Sequence, residues 1–134
     1  MAIERVFGPV DLAVSGMQAQ SANLSAIYAN VANALTTDAG GQPYRRVEAV
    51  LATAGEGPLV GVKVKEIVED KSPFPEVFDP GHPKANERGY VKMPNVSIPR
   101  EMVNLAVATR AYQANAAVLR RYQQAVDTAL ELLR

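Results

Sequence analysis

Cysteine is absent from the 134 residues. That excludes disulfides, iron–sulfur clusters, thiol catalysis and sulfur-ligated zinc. There is one histidine and no tryptophan. A metal site wants three or more suitable ligands, and most catalytic constellations need a richer inventory. No catalytic residue, metal site or cofactor is therefore expected. An excess of charge is missing as well: 14 Lys and Arg balance 14 Asp and Glu. Such a chain has no general electrostatic reason to bind nucleic acid or an acidic membrane. It has no apolar run of the roughly 18 residues that direct membrane insertion needs. The start, Met1 to Val6, lacks the basic segment and apolar core of a cleavable signal. What is present, 48% hydrophobic and 21% charged residues, is ordinary for a folded chain of about one domain.

Proline and glycine divide the chain into three. Eight of the nine prolines lie between Gln42 and Pro99, and none lies between Arg100 and Arg134, which also lacks glycine. The last 35 residues, rich in Ala and Leu, read as one helix. The first helix is expected from about Val10 to Leu35, ended by Gly40-Gly41 and Pro43. Residues 1–38 and 100–134 are assigned to a helical core and residues 39–99 to a β/extended middle domain. The fold class is α+β and elongated, with the terminal helices paired as a coiled coil. In the middle, Arg45–Leu51 and Val60–Lys65 read as a loose hairpin and Ser72–Gly89 as an extended, proline-rich segment. Tyr90–Met93 reads as a last short strand.

An average spacing of 3.5 residues runs through both helices, the seam of a left-handed coiled coil. In the first it selects Val10, Val14, Met17, Ser21, Leu24, Tyr28, Val31 and Leu35. In the last it selects Met102, Leu105, Thr109, Tyr112, Ala116, Leu119, Gln123, Val126, Leu130 and Leu133. Away from this stripe the first helix carries Ala, Ser and Asn where a solvated helix usually carries Lys and Glu. Gly16 costs about 1 kcal/mol relative to Ala in a helix, which suggests tight contact there. Asn30, Asn33, Gln113 and Asn115 are poor helix formers on Ala-rich faces, and they are expected to make polar contacts between helices or subunits. Each helix should be covered on several sides, which many copies could do and one partner could not.

Weaker signals have plain readings. His82, between Gly81 and Pro83, is expected in a turn or interface. Arg45-Arg46 and Arg120-Arg121 are expected to form salt bridges between subunits. Residues 1–38 carry Arg5 against Glu4, Asp11 and Asp38. Residues 100–134 carry five arginines against Glu101, Asp127 and Glu131. The two ends should attract, although exposed pairs contribute only about 0–1 kcal/mol each.

Ser15-Gly16-Met17-Gln18-Ala19-Gln20 with Ala29-Asn30-Val31-Ala32-Asn33 resembles the amino-terminal motif of flagellar rod and hook proteins. Glu101–Asn104 and Ala108–Asn115 resemble their carboxy-terminal motif. In the middle, Gly61–Val64, Phe78-Asp79-Pro80-Gly81-His82-Pro83 and Gly89-Tyr90-Val91 resemble the proximal-rod members of that family. The resemblance implies a non-enzymatic basal-body subunit, a substrate of the flagellar export apparatus, that assembles in the periplasm. It would polymerise with copies of itself and other rod proteins into a hollow, torque-transmitting shaft. Its terminal helices would form the layer around the export channel. The rival reading is a coiled-coil adaptor or secretion-apparatus component outside the rod. As a free monomer the terminal helices are expected to be partly disordered, and to order as neighbours bury them.

Overall fold

The structure is a computed structural model that describes residues 8–57 and 59–134. The start, with Glu4 and Arg5, and Pro58 of the expected hairpin loop lie outside the described residues. The elements run α1 (Pro9–Ala32), β1 (Val47–Thr53), β2 (Val62–Glu69), β3 (Glu76–Phe78), β4 (Tyr90–Lys92) and α2 (Ile98–Glu131). The fold is α+β.

Helix α1 begins where its sequence can satisfy the helix end. Pro9 occupies the first turn, where a missing N–H costs nothing. The Asp11 carboxylate accepts from the Gly8 N–H at 3.2 Å. The helix stops at Ala32, three residues before the expected Leu35. Asn33 stands at the C-cap, where its side chain bonds back to the Ala29 carbonyl at 2.9 Å, which its own backbone N–H also reaches. Helix α2 starts at Ile98 with Pro99 in its first turn, two residues earlier than expected.

The helices are antiparallel. Asn30 of α1 meets Glu101 of α2, and Gly16 meets Asn115. Both steps are 14 residues, in opposite chain directions. In the same register Pro9 faces about residue 122 of α2. Every residue of α2 from Arg120 on is exposed.

The hairpin lies along α1. At its base the Val47 backbone bonds to Asn30. Near its tip the Val62 N–H donates to Ser15 Oγ at 3.1 Å. Fifteen helical residues rise about 22 Å, and the six steps from Val47 to Thr53, the partner of Val62, rise about 20 Å. The lengths match, so one face of α1 carries α2 and another carries the hairpin. The strands pair antiparallel with a register shift at Val50/Leu51. Strand β2 runs to Glu69, four residues past the expected Lys65.

The segment expected to be merely extended contains β3, confined between Pro75 and Pro80, neither of which lies in the strand. It pairs antiparallel with β4. Phe78 and Tyr90 stack edge to face with centroids 5.3 Å apart. Gly89 has φ 79°, and a Cβ there would lie 2.9 Å from the Phe78 ring, so two separate constraints demand glycine.

Candidate functional site

Small residues, with Ile27, make up the buried apolar part of the helix pair. The buried apolar residues of the pair are Ala13, Ala19, Ala26 and Ile27 of α1 and Ala108 of α2. This is the stripe beside the 3.5-residue seam. Of the seam residues, Val10, Val14, Met17, Leu24, Val31, Leu105, Tyr112 and Leu119 are half-buried. Tyr28, Leu35, Met102, Val126, Leu130 and Leu133 are exposed. The expected seam is therefore not the line of closest helix contact within one chain. At Gly16 the two helices lie so close that a Cβ would stand 2.7 Å from the Asn115 side chain, room that a large seam residue would not leave. Asn115 lies against Gly16 and donates to the Ala111 carbonyl at 3.0 Å. Asn33 caps its own helix, and Gln113 is exposed. Among the described residues no ion pair joins α1 to α2.

The outside of the molecule carries what the inside lacks. Val103, Val107, Val118 and Tyr122 of α2 are also exposed. The accessible surface is 9649 Å², against about 6,800 Å² for a compact monomer of this mass. The excess follows from elongation and from helix faces with no neighbour in the chain.

Where the helices meet the hairpin, polar groups are buried. Asn30 and Glu101 are fully buried and Arg46 is nearly so. Asn30 spends its whole hydrogen-bonding capacity there. Its Nδ2 donates to the Val47 carbonyl at 2.8 Å and to Glu101 Oε2 at 3.1 Å. Its Oδ1 accepts from the Val47 N–H at 2.9 Å and from the Tyr44 hydroxyl at 3.1 Å. Arg46 Nε donates to Glu101 Oε1 at 2.7 Å. Its Nη1 reaches Glu48 at 2.8 Å and Asp70 at 3.6 Å. Its backbone N–H donates to Asn95 Oδ1 at 2.8 Å. Arg46 is thus paired inside its own chain, which corrects the expectation of a salt bridge between subunits. Arg45 stacks on the Phe74 ring, 4.2 Å from its centroid.

Burial works against the Arg46 charge, but the bonds to Glu101 and Glu48 outweigh it and raise its pKa above the usual value. Burial, then the Glu101 charge, push the Tyr44 phenol up. Bonds from Ser72 hold Asp70 below the ordinary carboxylate value. Among the described residues no buried side-chain nitrogen or oxygen lacks a partner. Periodicity could not have revealed this cluster, because Arg46 and Glu101 are 55 residues apart. In the sequence Glu101 reads as an acidic residue in a helix first turn and as the start of the carboxy-terminal motif, with no sign of Arg46 as its partner.

His82 lies in a turn, its Nδ1 accepting from the Lys84 N–H at 3.0 Å. Among the described residues no group of three or more His, Asp or Glu could hold a metal ion, and no helix is long and apolar enough to cross a membrane.

A family model described as flagellar basal body rod FlgEFG protein C-terminal matches residues 87–132. The chain is 44% identical over 122 residues to the flagellar basal-body rod protein FlgC of Escherichia coli O6:H1, covering 89% of each chain. It is 45% identical over 112 residues to FlgC of Yersinia enterocolitica, covering 81% of this chain and 84% of that one. FlgC of Borreliella burgdorferi is 33% identical over 149 residues, with 96% and 98% covered. The chain belongs to the FlgC family of flagellar basal-body rod proteins. As a FlgC-family member it is a structural subunit of the basal-body rod. In FlgC terms, both terminal motifs fall on the helix pair. The amino-terminal one carries Ser15, Gly16 and Asn30, which touch the hairpin or α2. The carboxy-terminal one carries Glu101 and Asn115.

Proposed function

We propose that this rod subunit polymerises through the helix faces that the single chain leaves uncovered. The observation that carries the reading is the set of large apolar side chains left exposed along the helices, among them Tyr28, Val103, Val107, Val126 and Leu130. A pair meant to stand alone would bury its leucines and valines, each of which stabilises by about 1.5–3 kcal/mol when fully covered. Here neighbouring subunits supply that burial.

The 3.5-residue stripe, with Tyr28, Met102, Val126, Leu130 and Leu133 on it, is the coiled-coil seam between subunits. Gln113, exposed on α2, lies among these contacts, whereas Gly16, Asn30, Asn33 and Asn115, expected to touch other subunits, act within the chain by shaping the helix pair and its ends. Residues 1–38 and 100–134 form the inner helical layer around the export channel, and residues 39–99 the outer layer. The subunit is delivered by the flagellar export apparatus and joins copies of itself and other rod proteins in the periplasm, in the proximal, torque-transmitting part of the rod. Exposed small residues such as Ala106 and Ala114 support close stacking about an axis.

The reading is tested with Val107→Asp and Leu130→Asp in a strain lacking the native subunit. Both sites are exposed, so the purified variants should melt within a few degrees of the parent. Swimming and recovery of rods should be lost. Normal motility with either variant would overturn it.

A further inference from the structure

The buried cluster joins five parts of the chain: α1 through Asn30, the start of β1 through Val47 and Arg46 just before it, the segment after β2 through Asp70, the loop before α2 through Asn95, and α2 through Glu101. It is the place where the helix pair and the hairpin are locked by charge. The buried apolar residues at that end of α1 are Ala26 and Ile27. Apolar contacts have no directional preference, whereas a guanidinium has a fixed planar set of donors that defines an angle.

We propose that Arg46 and Glu101 are positioning residues that set the angle of the β1–β2 hairpin to the helix pair, and so fix where a subunit's outer layer sits relative to its inner one. The lock gives orientation more than stability, since a buried ion pair replaced by apolar residues of similar volume often leaves stability unchanged or raised. The angle rests on geometry within one chain and is tested there, while its consequence for the two layers rests on the assembly reading.

The test exploits the absence of cysteine. Spin labels on E66C and R110C, both exposed positions, report the hairpin-to-α2 distance by double electron–electron resonance in the full chain. The parent should give one narrow distribution. With R46M and E101L together, helical circular dichroism and Tm should stay within a few degrees of the parent, while the distribution at least doubles in width. A folded double variant with the parent's width overturns the proposal. If the double variant does not fold, E101Q keeps the shape and removes the charge; it should broaden the distribution in the same way. An unchanged width in E101Q, or failure of E101Q to fold, equally overturns it, the latter by making the pair a folding requirement.

Discussion

Gly16 of α1 lies directly beneath the Asn115 side chain of α2, so that a Cβ on Gly16 would stand 2.7 Å from Asn115 Nδ2. The glycine is unfavourable for its own helix by about 1 kcal/mol, and the cost is offset by close approach of the two backbones. Asn115 in turn holds its amide in place through the Ala111 carbonyl.

Substitution there separates the two effects. Gly16→Leu overfills the contact and should destabilise by about 1–3 kcal/mol in urea unfolding. Gly16→Ala gains helix propensity but displaces an amide that can turn, so the net change should be small. Combined with Asn115→Ala it should become stabilising by several tenths of a kcal/mol to about 1 kcal/mol. A Gly16→Leu variant as stable as the parent would mean that the helices are not this close.

Removing one member of the buried cluster should be expensive. Glu101→Ala leaves Arg46 buried with one strong partner gone and takes one acceptor from Asn30. Loss of about 3–5 kcal/mol is expected, and equilibrium denaturation measures it. A loss below about 1 kcal/mol would show that water reaches the site.

Acid and base should act on different groups. Asp70 has a folded pKa below its ordinary value. Its stabilising contribution is therefore complete above the unfolded value near 4 and is lost as pH falls through the lower folded value. Tyr44 is shifted upward, so its contribution is complete below about pH 10 and is lost as pH rises beyond it. A Tm profile from pH 2 to 11 should fall at both ends. Asp70→Asn should flatten the acid limb and Tyr44→Phe the alkaline one.

The outer end of α2 should matter for assembly and not for the fold of one chain. Deleting residues 126–134 removes exposed Val126, Leu130, Leu132 and Leu133. The chemical shifts of β1 and β2 should not move, and rod incorporation should fail. Helicity per residue should also be higher in assembled material than in dilute monomer. Equal circular dichroism in both would count against ordering on assembly.

Much of the fold was legible because its causes are local. The proline gap after residue 99, the alanine-rich composition and the alternation in the middle place both helices and the main hairpin to within a few residues. The early end of α1 was less legible, because Asn33 can extend a helix or cap it, and only its bond back to Ala29, with the Thr36 hydroxyl donating to its Oδ1 at 3.2 Å, shows which. The seam was legible as a pattern and not as a contact. Periodicity finds large apolar side chains, but the closest approach of two helices is decided by the residues that are smallest. The candidate polar cluster was half legible: Asn30 stood out as an amide in a helix, but its partners did not.

The sequence by itself determined that the ends are helices, that they carry an apolar stripe and small neutral faces, and that the middle is a proline-broken β segment. Those properties follow from local backbone preferences and side-chain spacing. Only the tertiary structure decided that Gly16 lies against Asn115, that part of the apolar stripe remains exposed, and that Arg46 closes on Glu101. Those depend on which faces of distant segments can come closest, a matter of three-dimensional volume and charge neutralisation that no single stretch of chain contains.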